Sequence, residues 1–221
     1  MVDLHAELGR RIVTSTREPV FFISYAHRPR RRRRTEHELD PVEEFYATLS
    51  EHIYELVGLP VGAAAGFMDT DMDGGQRWSA ELGYAIGHCQ VLVPLLSPSY
   101  VTSRWCALEW QAFHRRPHHP MPGTHPTPGA VPVIPVHWIP VDLPSLPAEV
   151  RAVQFFKPAN VPAQLAQSYE DEGLYGLLQT GEQGREAFNT VVWRLAQRIA
   201  LAYGTHHVEA AEDVDFGEGT P

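Results

Sequence analysis

An aromatic and an acidic side chain lie four residues apart in a short segment near the middle of the chain. Trp105 and Glu109 follow a Ser-Pro turn at 97–98, which itself follows an apolar run at 91–96. In a helix, side chains at positions i and i+4 lie on the same face. A carboxylate beside an aromatic ring can stabilise a developing positive charge and bind hydroxyl groups. Most charged side chains on helices are only solvated, so a solvated Glu109 beside a core Trp105 is the alternative.

Short apolar runs alternate with amphipathic segments, and this alternation predicts the elements that position these residues. Strands are predicted at 19–25, 64–69, 91–96, 130–139 and 153–156. Asp40 and Pro41 predict the start of the first helix, and Gly58 predicts its end. Further helices are predicted near 78–86, at 104–115, in part of 163–179 and at 188–202. The predicted fold is α/β: a flavodoxin-like, three-layer domain whose five-stranded parallel sheet has the order 2-1-3-4-5, with helices on both faces.

The carboxyl edge of such a sheet is where open α/β domains bind ligands. Tyr25, Ala26 and His27 follow the first predicted strand, and Asp69 ends the second. Because the first three strands are neighbours in the predicted order, we expect these residues to lie near Glu109. An aromatic side chain at this edge could stack on an aromatic ring of the ligand.

The composition argues against several classes of protein. The formal net charge of -9 over 221 residues is opposite in sign to that of a general nucleic-acid binder. No apolar run approaches the roughly 20 residues that cross a bilayer, and no secretory signal is predicted in the first residues of the sequence. Cys89 and Cys106 lie inside apolar segments, which is typical of buried thiols in a reducing compartment. We therefore expect a soluble, cytoplasmic protein that binds neither nucleic acid nor membranes.

The sequence lacks the usual phosphate-binding and catalytic motifs. It has no Walker loop, no dinucleotide-type glycine triplet after the first strand and no G-x-S-x-G. The His-His pairs at 118–119 and 206–207 lie in a predicted loop and in the tail, so no metal site is predicted. An ordinary glycosidase needs two carboxylates. Cleavage of the nicotinamide–ribose bond of NAD+ needs no acid, because the cationic ring leaves as a neutral molecule. A single carboxylate could then stabilise the ribosyl cation.

Several segments, in this order and spacing, resemble the successive boxes of a Toll/interleukin-1 receptor (TIR) domain. They are F-F-I-S-Y-A at 21–26, G-F-M-D at 66–69, the Gly74/Gly75 loop with Trp78, L-L-S-P-S-Y at 95–100 and S-R-W-C-A-L-E at 103–109. The resemblance is strong over about 20–115 and weaker toward the final helix. It implies a flavodoxin-like fold. In enzymatic TIR domains the glutamate of the W-C-x-x-E box is the catalytic residue, and here it is Glu109.

The resemblance implies an NAD+ nucleosidase of the NAD+ glycohydrolase or ADP-ribosyl cyclase type, with NAD+ as substrate and no cofactor. It also implies self-association through the loop Thr70–Arg77 and activation by assembly, in which a neighbouring subunit completes the pocket. The residues that we expect to bind the substrate are Trp105, Tyr25, Ala26, His27, Asp69 and Trp78.

The predicted domain spans 19–204. It follows an N-terminal extension at 1–18 and precedes an acidic tail at 205–221 that is predicted to be disordered. Three inserts are predicted, at 28–38, 117–129 and 160–183, and the first carries an arginine block at 28–34. With these inserts and the segment E-W-Q-A-F at 109–113, the chain is similar to bacterial TIR-like proteins encoded beside radical-SAM peptide-maturation genes, and this resemblance implies a scaffolding role. The arginine block is typical of a solvated loop, and attraction to phosphates or to an acidic partner is the alternative.

Three functions are consistent with these residues. The first is NAD+ cleavage by Glu109, in phage defence or signalling. The second is a non-catalytic interaction module that binds a protein partner through Thr70–Arg77 or through the arginine block. The third is a receiver-type phosphoacceptor at Asp69, and it is disfavoured because the first strand ends in Ser24 and Tyr25 rather than in acidic residues that would hold Mg2+.

Overall fold

The computed structural model describes residues 18–27, 40–69, 80–125, 131–212 and 214. The loop Thr70–Arg77, Trp78 and the arginine block at 28–34 lie outside the described residues, as does nearly all of the predicted N-terminal extension. The predictions that concern them therefore stay predictions. Within the described residues, no helix is both long and apolar enough to cross a membrane.

The elements follow one another in an alternating order. The strands are β1 (Phe21–Ser24), β2 (Gly66–Met68), β3 (Val91–Leu96), β4 (His118–Pro120), β5 (Val136–His137) and β6 (His206–Val208). The helices are α1 (Pro41–Val57), α2 (Ala80–His88), α3 (Pro98–Thr102), α4 (Arg104–His114), α5 (Ala148–Arg151), α6 (Ala163–Gln179) and α7 (Gly181–Thr205), with a 3-10 turn at Leu143–Ser145.

The central sheet is parallel and has the order β2-β1-β3-β5. Phe21 pairs with Gly66 on one side and with Val91 on the other, so β1 lies in the middle of the sheet. The predicted α/β, flavodoxin-like class and the 2-1-3 order of the first three strands are confirmed.

The last part of the sheet differs from the prediction. The predicted fourth strand is reduced to the two residues of β5, and the predicted fifth strand at 153–156 does not form. Phe156 donates one backbone hydrogen bond to the carbonyl of Pro135, at 2.8 Å. Because Pro132 and Pro135 have no N–H, a regular ladder cannot extend along this segment. The described sheet therefore has four strands, with 153–156 lying beside its edge.

The start and end of α1 confirm the predicted helix signals. The Asp40 side chain accepts a hydrogen bond from the amide of Val42 at 2.8 Å, and Pro41 is the first helical residue. Glu43 accepts from the amide of Asp40 and completes a capping box. Gly58 ends the helix in the left-handed conformation, at φ 63°.

Two apolar layers cover the sheet. Phe21 and Ile23 pack with α1, α6 and α7, whereas Phe22 packs with α2 and α4 on the opposite face. Side chains alternate between faces along a strand. Ser24 therefore continues the face of Phe22, and it ends β1 on the side that α4 covers.

The region after α7 corrects two predictions. β6 pairs with β4 in an antiparallel ribbon, so residues 206–208 of the tail predicted to be disordered and 118–120 of the segment predicted to be irregular form regular structure. The guanidinium of Arg116 is buried, and it donates to the carbonyls of Ile86, Cys89 and Glu209 at 2.7 to 2.9 Å. The side chain of Gln90 both donates to and accepts from the backbone of Val208. These contacts from distant parts of the chain hold β6, whose three residues give no strand pattern of their own.

Candidate active site

A buried carboxylate lies at the carboxyl end of β1. Glu109 is only 5% exposed, and one of its carboxylate oxygens, Oε2, lies against the hydroxyl of Ser24 in a very short hydrogen bond. Ser24 is fully buried at the last position of β1. The predicted approach of α4 to the end of the first strand is therefore present, and the alternative of a solvated Glu109 is wrong.

Trp105 lies in a different environment from Glu109. The buried stripe of α4 is formed by Cys106, Glu109, Trp110 and Phe113, at the i, i+3, i+4 and i+7 spacing of one helix face. Trp105 lies beside this stripe, and its side chain is 37% exposed. The alternative that placed Trp105 in the core is also wrong. An exposed Trp105 is consistent with stacking on a ligand, and that role stays a prediction.

Two serine caps fix the helices that carry the site. Ser97 accepts a hydrogen bond from the amide of Tyr100 at 3.1 Å and starts α3. Ser103 accepts from the amide of Cys106 at 3.3 Å and starts α4. Serine at an N-cap satisfies amides that the helix leaves unpaired. The S-P-S-Y and S-R-W-C segments thereby fix the first residues of α3 and α4, and with them the positions of Tyr100 and Glu109 in the core.

Tyr100 joins the carboxylate through Ser24. Its hydroxyl oxygen lies 3.2 Å from the Ser24 hydroxyl oxygen, and its side chain is buried. The thiol of Cys106 also faces this group, and burial together with the charge of Glu109 raises its pKa to about 12. Cys89 and Cys106 are both free and buried, as predicted.

Burial controls the protonation of Glu109. It is the main reason why the pKa of the carboxyl group rises from its ordinary value of 4.5 to about 8, and the charge of Asp69 contributes in the same direction. The hydrogen bond from Ser24 acts in the opposite direction. A carboxyl group with this pKa is mostly neutral at pH 7, and a nearby cation would favour its ionised form. Strongly shifted carboxyl groups of this kind are typical of functional sites.

The predicted substrate-binding residues after β1 and β2 lie together. The hydroxyl of Tyr25 donates to the backbone carbonyl of Asp69 at 2.6 Å, which ties the ends of the two strands. The rings of Tyr25 and His27 stack with their centroids 4.4 Å apart. Ala26, which separates these two residues in the sequence, is half-buried. Burial, followed by the charges of Asp40 and Asp69, raises the pKa of Tyr25, so this phenol stays protonated.

Glu109 does not line the cavity that lies beside these residues. The cavity has a volume of about 240 Å3 and lies on the outer side of α4, where Ala107, Leu146 and Val150 line it. Tyr100 and Cys106 contribute to its wall and also face the Glu109 cluster. The described residues include no group of three or more His, Cys, Asp or Glu side chains placed to hold a metal ion.

Sequence reasoning singled out neither Ser24 nor Tyr100 as a site residue. Ser24 is a polar residue at the end of an apolar strand, and strand alternation from Phe22 could have placed it on the α4 face. Tyr100 gave a weaker signal, because its position depends on the short helix that Ser97 caps.

The fold and this site together define a class: a flavodoxin-like α/β domain with a buried carboxylate at the carboxyl edge of its sheet. A family model described as TIR domain matches residues 21–168, which is more than half of the chain. The chain belongs to the TIR domain family. No match was found among curated proteins or among solved structures. TIR domains include enzymes that cleave NAD+ and also non-catalytic members.

Proposed function

We propose that this protein is an NAD+ nucleosidase that cleaves the nicotinamide–ribose bond, with Glu109 as the catalytic carboxylate. The observation that carries the proposal is the burial of Glu109 against Ser24 at the carboxyl end of β1. A TIR domain that served only as a scaffold would have no need of a carboxyl group whose burial opposes its ionisation.

The chemistry requires one anionic group. In the reaction the bond between the ribose C1′ and the pyridinium nitrogen breaks, and the electron pair of that bond goes to the nitrogen. Nicotinamide leaves neutral, so no acid is needed. The ribosyl group becomes an oxocarbenium ion, which the carboxylate of Glu109 stabilises. Water then adds to C1′ and loses a proton, which gives ADP-ribose in the hydrolytic case.

The buried surroundings of Glu109 suit this task. Charge stabilisation is stronger where water is excluded, because the effective dielectric constant is lower. The substrate also brings its own cation, the nicotinamide ring, which favours the ionised carboxylate. This pairing of the nicotinamide cation with the carboxylate also selects for NAD+. A neutral nucleoside would bring no positive charge, so Glu109 would stay protonated and could not stabilise the ribosyl cation.

We propose that assembly switches this activity on. The proposed route is self-association through Thr70–Arg77, with a neighbouring subunit completing the pocket, and it rests on the resemblance to enzymatic TIR domains. The proposed setting is the cytoplasm, in phage defence or signalling. Trp105, Tyr25, Ala26, His27, Asp69 and Trp78 are the proposed substrate-binding residues, and NAD+ is the substrate rather than a cofactor.

A non-catalytic scaffold is the second candidate, for example in peptide maturation. One observation favours it: Glu109 does not line the cavity beside α4, and this cavity, which Leu146 and Val150 line, could hold an apolar side chain of a partner protein. A scaffold of this kind would bind a protein partner and would show no thermal shift with NAD+.

Nicotinamide release at several protein concentrations separates the two candidates. We expect the wild-type protein to release nicotinamide with a rate per subunit that rises steeply with concentration, and Glu109→Ala to release none. Glu55→Gln, an exposed glutamate on α1, is the matched control and should behave as wild type. If concentrated, folded wild-type protein releases no nicotinamide, or if Glu109→Ala releases as much, the nucleosidase proposal is wrong.

A further inference from the structure

Three buried oxygen atoms from three different elements form a short chain at the candidate site. They are the hydroxyl of Tyr100 on α3, the hydroxyl of Ser24 at the end of β1 and Oε2 of Glu109 on α4. Each of the three side chains is at most 5% exposed. Bulk water is therefore not available to replace a lost hydrogen bond. The hydrogen bonds between the three oxygen atoms must be formed by the protons that these oxygens carry.

Counting protons restricts how the chain can be arranged. The Ser24 hydroxyl has one proton but two neighbours, so it can donate to Glu109 or to Tyr100, and not to both. When Glu109 is ionised, Ser24 donates to the carboxylate and Tyr100 donates to Ser24. Both hydroxyl protons are then used, and both O–H dipoles point toward the negative charge. When the Glu109 proton lies on Oε2, the direction reverses and Ser24 donates to Tyr100.

We propose that Ser24 and Tyr100 are positioning residues for the catalytic carboxylate. Ser24 holds Oε2 of Glu109, Tyr100 orients Ser24, and the other carboxylate oxygen, Oε1, is left to face the substrate. This inference rests on the proposed nucleosidase function for its catalytic consequence. Its structural consequence, that the two hydroxyls favour the ionised carboxylate, does not depend on that function.

The other described groups around Glu109 do not stabilise its ionised form. Asp69, after β2, carries a negative charge that opposes ionisation. The charge of Glu109 contributes to raising the pKa values of Cys106 on α4 and Tyr25 after β1, and both groups therefore stay neutral. No cation is among the described groups that shift the pKa of Glu109, and Ser24 is the one group that lowers it. Removing the Ser24 hydroxyl should therefore remove the main support of the anion.

The first test is the pH profile of nicotinamide release by Ser24→Ala and Tyr100→Phe. A hydrogen bond to a charged group contributes enough to move a pKa by about 1 to 2 units. We expect the acidic limb of kcat/KM for Ser24→Ala to move up by about this amount, which lowers the rate at pH 7 by about 10-fold to 100-fold. Tyr100→Phe should show a smaller shift in the same direction. KM should change little, because neither side chain binds NAD+.

The matched control is Ser99→Ala, since Ser99 lies next to Tyr100 on α3 but is exposed. Its pH profile should coincide with that of the wild type. A uniform loss of rate at every pH in Ser24→Ala would indicate misfolding or a lost substrate contact, and it would contradict a positioning role.

The second test needs no activity. The side-chain carboxyl carbon of Glu109 is followed by 13C NMR as a function of pH in glutamate-labelled protein, and its signal is assigned by its absence in Glu109→Gln. We expect a wild-type midpoint near 8 and a higher midpoint in Ser24→Ala. Equal midpoints in the two proteins would overturn the inference. If the midpoints differ but the wild type never releases nicotinamide, the proposed function fails while the role of the hydroxyl chain stands.

Discussion

Replacing Glu109 with glutamine should stabilise the protein, by an amount that depends on pH. The side chain keeps its size and can still bond with Ser24, but it cannot become a buried anion. In the wild type the carboxyl group ionises near 4.5 in the unfolded chain and near 8 in the folded one. Between these values the folded state binds more protons than the unfolded state, so the free energy of unfolding falls as pH rises.

The size of the effect follows from the interval between the two pKa values. One unit of difference corresponds to about 1.4 kcal/mol. From 4.5 to about 8, the wild type therefore loses on the order of 4 to 5 kcal/mol of unfolding free energy through this one group. Glu109→Gln should unfold like the wild type near pH 4 and be more stable by that amount at pH 9.

Urea unfolding at pH 4, 6, 7.5 and 9 measures this difference directly, because the midpoint and slope give the free energy in water. Glu55→Gln, exposed on α1, is the control and should keep the pH dependence of the wild type. A constant difference in unfolding free energy between Glu109→Gln and wild type across this range would show that Glu109 is not a buried group with a raised pKa. A stabilised but inactive Glu109→Gln is the expected behaviour of a residue kept for function.

Two further substitutions test contacts that hold the fold together. Gly173→Ala should lower the free energy of unfolding by about 3 kcal/mol, because Gly173 has φ 64° and ψ 175° and an added Cβ would lie 2.6 Å from the carbonyl oxygen of Trp138. Gly83→Ala, in a helical position with open space, is the control and should raise stability by about 1 kcal/mol. Arg116→Met should cost about 3 kcal/mol and expose β6 to hydrogen exchange, because the buried carbonyls of Ile86 and Cys89 and the carbonyl of Glu209 lose their donor. If β6 exchanged no faster in Arg116→Met, the guanidinium would not be what holds it.

The fold was predictable from the sequence where local pattern and tertiary packing agree. Apolar runs of four to six residues predicted β1 and β3, and the Asp40-Pro41 and Gly58 signals predicted the limits of α1. The segment at 153–156 has the composition of a strand, but its neighbour contains prolines and cannot offer it a ladder. β6 shows the opposite case, because contacts with Arg116 and Gln90 create a strand that its own residues do not indicate.

The candidate site was predictable in its position and less so in its composition. The order of the strands brought Glu109 to the ends of β1 and β2, as expected. The i, i+4 rule states that Trp105 and Glu109 share a face, but it does not say which face is buried. The four-residue stripe from Cys106 to Phe113 decides that question, and it leaves Trp105 beside the stripe. Ser24 could not be identified from the sequence as a site residue, because its role depends on the contact with Glu109 that forms when α4 packs over the end of β1.

The catalytic role of Glu109 is tested most directly by the rate of nicotinamide release by wild type and Glu109→Gln, measured side by side at high protein concentration and at pH 9, where Glu109 is ionised. A catalytic Glu109 predicts release by the wild type and a loss of at least about 100-fold in Glu109→Gln, although the variant is expected to be the more stable protein. Equal rates in the two proteins, or no release by the wild type under these conditions, would contradict it.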